Sequence, residues 1–199
     1  MKTISISQAE MESRIARFKS LSAYQQHQES ISSLPPAVLE KIAANRVYPV
    51  MVPEGYKGRS TQAPIKSAPG LIISIAECPA GDGPGLHSHD QAIENFMCLN
   101  GRFRIDWGDK GENSATLEPL DFISIPPFVL RRFTNISNET ARLLAIIHVQ
   151  STDQADQIAF SPDLAKEIAR DFGKDTLKAL DGIGIKFNAG VDSDAPLPR

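Results

Sequence analysis

Cysteine and an excess of either charge are both scarce in this sequence, and each shortage excludes a class of protein. Its 199 residues include two cysteines, Cys78 and Cys98, too few for a disulfide scaffold and not spaced as a metal-binding pair. Both thiols are expected to be reduced, which predicts a cytoplasmic protein. The formal net charge is −3, so we expect no nucleic-acid partner.

Long hydrophobic runs are also missing. The longest aliphatic stretch is Leu143–Ile147, whereas a membrane-spanning helix needs about 20 apolar residues. The first residues, MKTISISQAEMESR, lack the apolar run of a signal peptide. The sequence therefore predicts no membrane association and a protein of one domain with extensions.

The chain divides into three segments by its hydrophobic pattern. Residues 1–45 predict a helical extension, with a capping-box pattern from Ser7 to Glu10 and a second short helix that starts at Pro35-Pro36. Residues 46–150 predict a β-barrel, and residues 151–199 predict helix followed by a tail. Ser161 and Gly173 are expected to bound the C-terminal helix.

The central segment alternates short apolar runs with turn residues about every ten positions. This spacing is typical of an antiparallel sandwich or barrel rather than of βαβ units. The predicted strands are Leu71–Cys78, Leu86–His89, Ile93–Asn100, Arg102–Trp107, Phe122–Ile125, Leu130–Asn135 and Ala141–Gln150.

The stretch GLHSHDQAIENFMCLNG carries the clearest chemical signal. Because strand side chains alternate between faces, His87 and His89 point the same way. A turn at Asp90-Gln91 would bring Glu94 back on an adjacent antiparallel strand, so that two imidazoles and a carboxylate converge. That set suits a divalent metal with open coordination positions, although the same residues could simply hydrogen-bond at a polar barrel mouth.

Residues 81–101 resemble the first motif of the cupin superfamily, G(X)5HXH(X)3-4E(X)6G. Gly81, His87, His89, Glu94 and Gly101 occupy all five fixed positions with the right gaps. The resemblance implies an antiparallel jelly-roll barrel with His87, His89 and Glu94 as ligands of a divalent ion (Fe, Mn, Ni or Zn).

The second cupin motif, G(X)5PXG(X)2H(X)3N, fits residues 120–135 less well. Pro126 and Asn135 match, whereas Leu120 and Phe128 stand in place of glycines and Arg131 in place of the fourth ligand, a histidine. Leu120 predicts a turn that needs no positive φ.

Two residues are candidates for the empty fourth position. Arg131 would either hold the anionic group of a substrate or form an ion pair with Glu94 in a metal-free pocket. His148 would reach the metal if residues 131–135 and 142–148 form a hairpin, but an outward orientation is equally compatible with the sequence.

The resemblance and these residues together favour a metal-dependent enzyme that acts on a small anionic, in some cases aromatic, organic substrate by dioxygenase-like chemistry. A metal-assisted isomerase or lyase and a non-catalytic cupin that binds a small ligand are the alternatives. Arg131, Phe96, Phe103, Trp107 and Phe133 are the predicted substrate-binding residues. Met97 and Leu99 are apolar yet point outward, so either the chain's own helices or a partner subunit should cover them, and we favour a homodimer.

Overall fold

The computed structural model describes residues 1–26, 34–67, 69–149 and 157–190. These residues form a mainly β structure with short helices near both ends. The strands are β1 (Arg46–Pro53), β2 (Ile65–Ser67), β3 (Leu71–Cys78), β4 (His87–Ser88), β5 (Ala92–Asn100), β6 (Phe103–Trp107), β7 (Asn113–Leu117), β8 (Phe122–Ile125), β9 (Arg131–Asn135), β10 (Ala141–Val149), β11 (Ile158–Phe160) and β12 (Ile185–Lys186).

The strands form two facing sheets of six strands each. The first sheet has the order β2-β1-β3-β10-β5-β8, and the second has the order β12-β11-β4-β9-β6-β7. The predicted jelly-roll barrel is confirmed as a mainly β fold of two sheets, but in the described ranges no strand pairing closes the sheets into a barrel and the sheets are not wholly antiparallel. Two strand pairs are parallel, β1 with β2 and β11 with β12.

The parallel pairs arise from crossover connections, which parallel strands require. Two helices, α3 (Pro162–Phe172) and α4 (Lys174–Gly182), form the crossover between β11 and β12. The sequence pattern predicted the helices of this segment but neither of its strands. The C-terminal segment thus supplies one edge of the second sheet as well as two helices, and the predicted boundaries at residues 45/46 and 150/151 stay predictions.

Several predicted helix ends are confirmed. Ser7 and Glu10 form the capping box of α1 (Gln8–Glu12), and α2 (Pro36–Ile42) begins at the Pro35-Pro36 pair. Ser161 caps α3, and Gly173 ends it. The first helix has only five residues and none of them is buried, and an isolated helix is marginal in water. None of the helices in the described chain is long and apolar enough to cross a membrane.

Three apolar clusters hold the described elements together, one of them around Val52 and Ile72. A second lies between the sheets and includes Phe96, Phe103 and Phe133. The third joins α2 to the C-terminal helices and strands through residues such as Leu39 and Phe160. The N- and C-terminal segments therefore pack against each other beside the sheets.

Leu120 and Phe128 correct a prediction about the second motif. Both adopt positive φ, 75° and 66°, so the expectation of a turn without positive φ at Leu120 is wrong. The backbone keeps the geometry that the motif's glycines would favour, although the Cβ atom makes this conformation cost about 1–2 kcal/mol. Gly101, in contrast, could not be replaced by a residue with a side chain, because a Cβ there would lie 2.5 Å from the Cβ of Ala141.

Candidate metal-binding site

The two histidines and Glu94 meet across the interior of the molecule. His87 lies in β4 of the second sheet, His89 follows it directly, and Glu94 lies in β5 of the first sheet. The predicted antiparallel pairing between these neighbouring segments is therefore wrong. The turn at Asp90-Gln91 carries the chain from one sheet to the other, and the side chains converge because the sheets face each other.

Backbone carbonyls hold both imidazole rings. Nδ1 of His87 lies 2.8 Å from the Gly85 carbonyl, and Nδ1 of His89 lies 3.2 Å from the Gln157 carbonyl. Since a carbonyl can only accept, each Nδ1 carries the proton and each Nε2 keeps its lone pair. Fixing an imidazole through its other nitrogen is the usual way in which proteins orient a histidine ligand.

Both imidazoles are neutral in the folded protein. Burial, followed by the charge of Arg131, lowers the pKa of His87 to about 4. The same two causes, in the same order, lower the pKa of His89 well below its usual range. A neutral imidazole is the form that can donate electrons to a metal.

The three side chains fit a metal ion in kind and in spacing. One potential ligand atom from each of His87, His89 and Glu94 lies within 4.8 Å of the other two, and all three residues are buried. Two imidazole nitrogens with one carboxylate is a donor set used for Fe(II), Zn and related ions.

Arg131 is buried and bound to Glu94. Its Nε donates to Oε2 of Glu94 at 2.9 Å, and its Nη2 donates to the same oxygen. Arg131 is 1% exposed, so the structure contains the ion pair that was one of the two predicted arrangements. The guanidinium also places a positive charge beside the three potential ligands, which lowers the affinity that they would otherwise have for a cation.

A cavity of about 140 Å³ opens beside these residues. His87, His89 and Glu94 form its polar side, and Phe96 and Phe133 form part of its apolar wall. An apolar cavity of about 150 Å³ accommodates benzene, so this one has room for a molecule of roughly one six-membered ring.

The other predicted site residues lie elsewhere. Phe103 is fully buried in the core, and Trp107 lines a separate depression beside Pro126. His148 is exposed on β10, on the opposite face from Ala145 and Ile147, which line the cavity. The predicted hairpin of residues 131–135 and 142–148 is wrong, because β9 and β10 belong to different sheets. His148 therefore does not join His87, His89 and Glu94.

Sequence reasoning missed Arg59. It follows β1 in a loop and lines the cavity, and its Nη1 donates to the Ile183 carbonyl at 2.9 Å. Its charge acts on both His87 and His89. No sequence signal pointed to Arg59, because it is brought to the site by contacts with residues more than a hundred positions away.

Comparisons with known proteins agree with the motif. Residues 74–147 match the cupin domain family model, and no curated protein matches the chain. A cupin protein from Bacteroides fragilis is 31% identical, and the match covers 42% of this chain and 69% of that one with a TM-score of 0.37.

Two other solved structures are less similar in sequence. A Cupin 2 conserved barrel domain protein from Salinispora arenicola is 16% identical, with 57% of this chain and 85% of that one covered and a TM-score of 0.44. The Cnp3 cupin domain of Schizosaccharomyces pombe is 19% identical, with 43% and 61% covered and a TM-score of 0.39, so the chain spans less than two thirds of that structure. On the family match and the complete first motif, the chain belongs to the cupin superfamily.

Proposed function

We propose that this chain is a metal-dependent cupin enzyme that acts on a small anionic organic molecule, including aromatic ones, held in the 140 Å³ cavity. The observation that carries the proposal is the convergence of two neutral, carbonyl-anchored imidazoles with a buried carboxylate. Orienting both rings in this way is characteristic of metal ligands.

His87, His89 and Glu94 would hold the ion through Nε2, Nε2 and a carboxylate oxygen. A bound metal supplies Lewis-acid chemistry and, as Fe(II), reaction with oxygen. Arg131 orients the Glu94 carboxylate through two hydrogen bonds. The wall formed by Phe96 and Phe133 excludes water from the apolar part of the substrate.

Oxygen-dependent cleavage is the reaction class that we favour, because a two-histidine, one-carboxylate set with open positions is typical of Fe(II) oxygenases. A metal-assisted isomerase or lyase with Zn, Mn or Ni would use the same three ligands. Oxygen uptake on a panel of small aromatic acids, measured with each metal in turn, separates these classes.

Metal stoichiometry of the purified, untagged chain is the direct test. We expect about one divalent ion per chain after loading, and its loss in His87→Ala and His89→Ala. His148→Ala is the matched control, because this exposed histidine lies away from the site, and it should keep the parent stoichiometry. A parent protein that binds none of Fe, Mn, Ni and Zn by calorimetry would contradict the proposal.

A metal-free cupin that binds a small ligand is the second candidate, and the Arg131–Glu94 pair supports it. In that case Glu94 serves to neutralise a buried guanidinium, and the histidines bind the ligand by hydrogen bonds. Ligand affinity would then be the same in the presence of a chelator and after metal loading, whereas the enzyme proposal requires a difference.

The anionic character of the proposed ligand rests on Arg59, which lines the cavity directly. The charge of Arg131 is neutralised by Glu94. If Arg59 contacts the anionic group, Arg59→Gln should weaken binding of benzoate by roughly 10- to 100-fold, the value of a charge-assisted hydrogen bond. Arg59→Lys keeps the charge and should lose less. Equal losses for benzoate and for uncharged benzamide would show that Arg59 acts only on the shape of the cavity.

A further inference from the structure

One buried hydroxyl group in the cavity has no hydrogen-bond partner among the residues that the structure describes. It belongs to Ser74 of β3, which is 5% exposed and lines the same cavity as His87, His89 and Glu94. Leaving a buried hydroxyl without a partner destabilises a protein, so such a group in a folded chain needs an explanation.

The other buried polar side chains of the described chain are all hydrogen-bonded. Gln25 donates to the Ala44 carbonyl at 2.7 Å, and Asn135 donates to the Cys78 carbonyl at 2.8 Å. The buried side chains of the candidate metal-binding site and of Asp106 have partners as well. Ser74 is therefore the exception, and the cavity is where a partner can reach it.

The strand register places Ser74 away from the candidate metal-binding site. Ala145 of β10 pairs with Ser74 on one side and with Phe96 of β5 on the other. Since Phe96 comes two residues after Glu94, Ser74 lies two strands across from Glu94 and one inward row closer to the phenylalanine core. At the usual spacings the Cα atoms of Ser74 and Glu94 are about 12 Å apart. Ala145, between the two strands, has only a methyl side chain, which keeps this part of the cavity open.

From this arrangement we propose that the Ser74 hydroxyl binds a polar group of the substrate at the end of the cavity remote from the imidazoles, and that Ser74 determines specificity. The inference rests on the proposed function, in which the charged group of the substrate lies near Arg59 and the imidazoles. The ligand class is then a small ring with an acidic group at one end and a hydroxyl or carbonyl group at the opposite end.

The surroundings of Ser74 make this selection effective. A serine hydroxyl both donates and accepts, so it can pair with a hydroxyl or with a carbonyl of the ligand. Its neighbours in the cavity wall include Ile72, Ala145 and Phe96, which offer it no polar alternative. A ligand with a methyl group at this end would displace any water and leave the Ser74 hydroxyl unpaired, and a site of this kind discriminates against such a ligand.

Calorimetric titration with 4-hydroxybenzoate and 4-methylbenzoate, with Zn present, tests the proposal, because the two ligands have nearly the same size and the same carboxylate. We expect the parent chain to bind 4-hydroxybenzoate roughly 3- to 10-fold more tightly, the value of one net hydrogen bond between neutral groups. Ser74→Ala should remove this preference and bind 4-methylbenzoate at least as tightly as the parent does. Ser124→Ala is the matched control, since Ser124 is an exposed serine of the same sheet, and it should keep the preference.

The ligand pair also separates this inference from the proposed function. If the parent binds both ligands equally, or if Ser74→Ala keeps the preference, Ser74 does not contact the ligand and the inference fails, although binding of a ring carboxylate would still support the proposed function. A variant that loses both ligands alike would show that Ser74 only shapes the cavity, which also overturns the inference. A parent chain that binds neither ligand would contradict the proposed function and this inference together.

Discussion

The space between the two sheets has a charged end and a dry end, although the same strands line both. Along β5 the inward residues run from Glu94 to Phe96 to Cys98, and along β9 they run from Arg131 to Phe133. Strand alternation decides which side chains point inward at both ends. Residue type alone makes one end a candidate binding site and the other a packed core.

The two ends are stabilised by different interactions. At the dry end, the rings of Phe96, Phe103 and Phe133 pack edge-on, with centroids 5.2 Å and 6.0 Å apart. At the charged end, Arg131 and Glu94 neutralise each other, since a buried charge without a partner is costly. Phe103, which does not line the cavity, and the Arg131–Glu94 pair can therefore be perturbed separately.

Removing a ring at the dry end should have one of the largest effects. Phe103→Ala is expected to lower the free energy of unfolding by about 3–5 kcal/mol, through lost burial and the cavity left behind. Urea unfolding measures this loss. Metal stoichiometry and ligand affinity should stay at the parent values, because Phe103 does not line the cavity. Phe96→Ala, which does affect the lining, should lose similar stability and change ligand affinity as well.

Breaking the ion pair at the charged end should cost a similar amount. In metal-free protein, Arg131→Met leaves Glu94 buried without a partner and should lower the free energy of unfolding by about 3–5 kcal/mol. Added metal should restore part of this loss by binding Glu94. Arg132→Met is the control, because Arg132 is on the opposite face of β9 with its side chain 42% exposed, and its buried partner Asp106 keeps the hydrogen bonds from Arg104. The free energy of unfolding of this control should fall by less than about 1 kcal/mol.

Arg131→His tests whether the charged end binds metal, since it restores the histidine of the second motif. It should bind metal more tightly than the parent, because a positive charge is removed and a donor is added. Calorimetric titration with Zn and Mn measures the change. Unchanged metal affinity together with lowered stability would favour the metal-free ligand-binding candidate instead.

The charged end should also respond to pH. The pKa of His87 is about 4 in the folded protein against 6.5 ordinarily, so the unfolded chain takes up a proton first as the pH falls. In metal-free protein the free energy of unfolding should be highest above pH 6.5. It should then fall by roughly 3 kcal/mol between pH 6.5 and pH 4, and His89 should act in the same direction.

Urea unfolding of His87→Gln should show a smaller fall over this pH range. His148→Gln is the control and should behave as the parent, since the His148 side chain is exposed. A parent protein whose stability is the same at pH 7 and pH 4.5 would contradict the burial of neutral imidazoles.

The smallest effect is expected at the turn before β8. Leu120→Gly removes the strain of a positive φ at a side chain that is 74% exposed. The free energy of unfolding should rise by about 0.5–1 kcal/mol, after allowing for the greater conformational freedom of glycine in the unfolded chain. Leu120→Ala keeps the Cβ atom and should gain nothing, so equal melting temperatures for the two variants would show that φ is not the cause.

Local patterns were sufficient for most elements of the central segment. The strand over Leu71–Cys78 and the strand over Phe122–Ile125 were predicted with their observed bounds, because alternation and turn residues act within a few positions. The strands β1, β2, β7, β11 and β12 were missed. Two of these, β11 and β12, are only three and two residues long and form where neighbouring strands supply hydrogen bonds.

The sequence by itself determined that His87, His89 and Glu94 come together, because a two-residue repeat places the histidines on one face and the motif spacing adds Glu94. It also limited the predicted partner of Arg131 to two, the anionic group of a substrate or Glu94. Only the tertiary structure showed that Arg131 donates to Glu94, placed His148 outside the site and brought in Arg59. The path of each strand between the two sheets depends on contacts across the whole chain. Periodicity is a local property, whereas the pairing of strands and of buried charges is settled by the packing of distant segments.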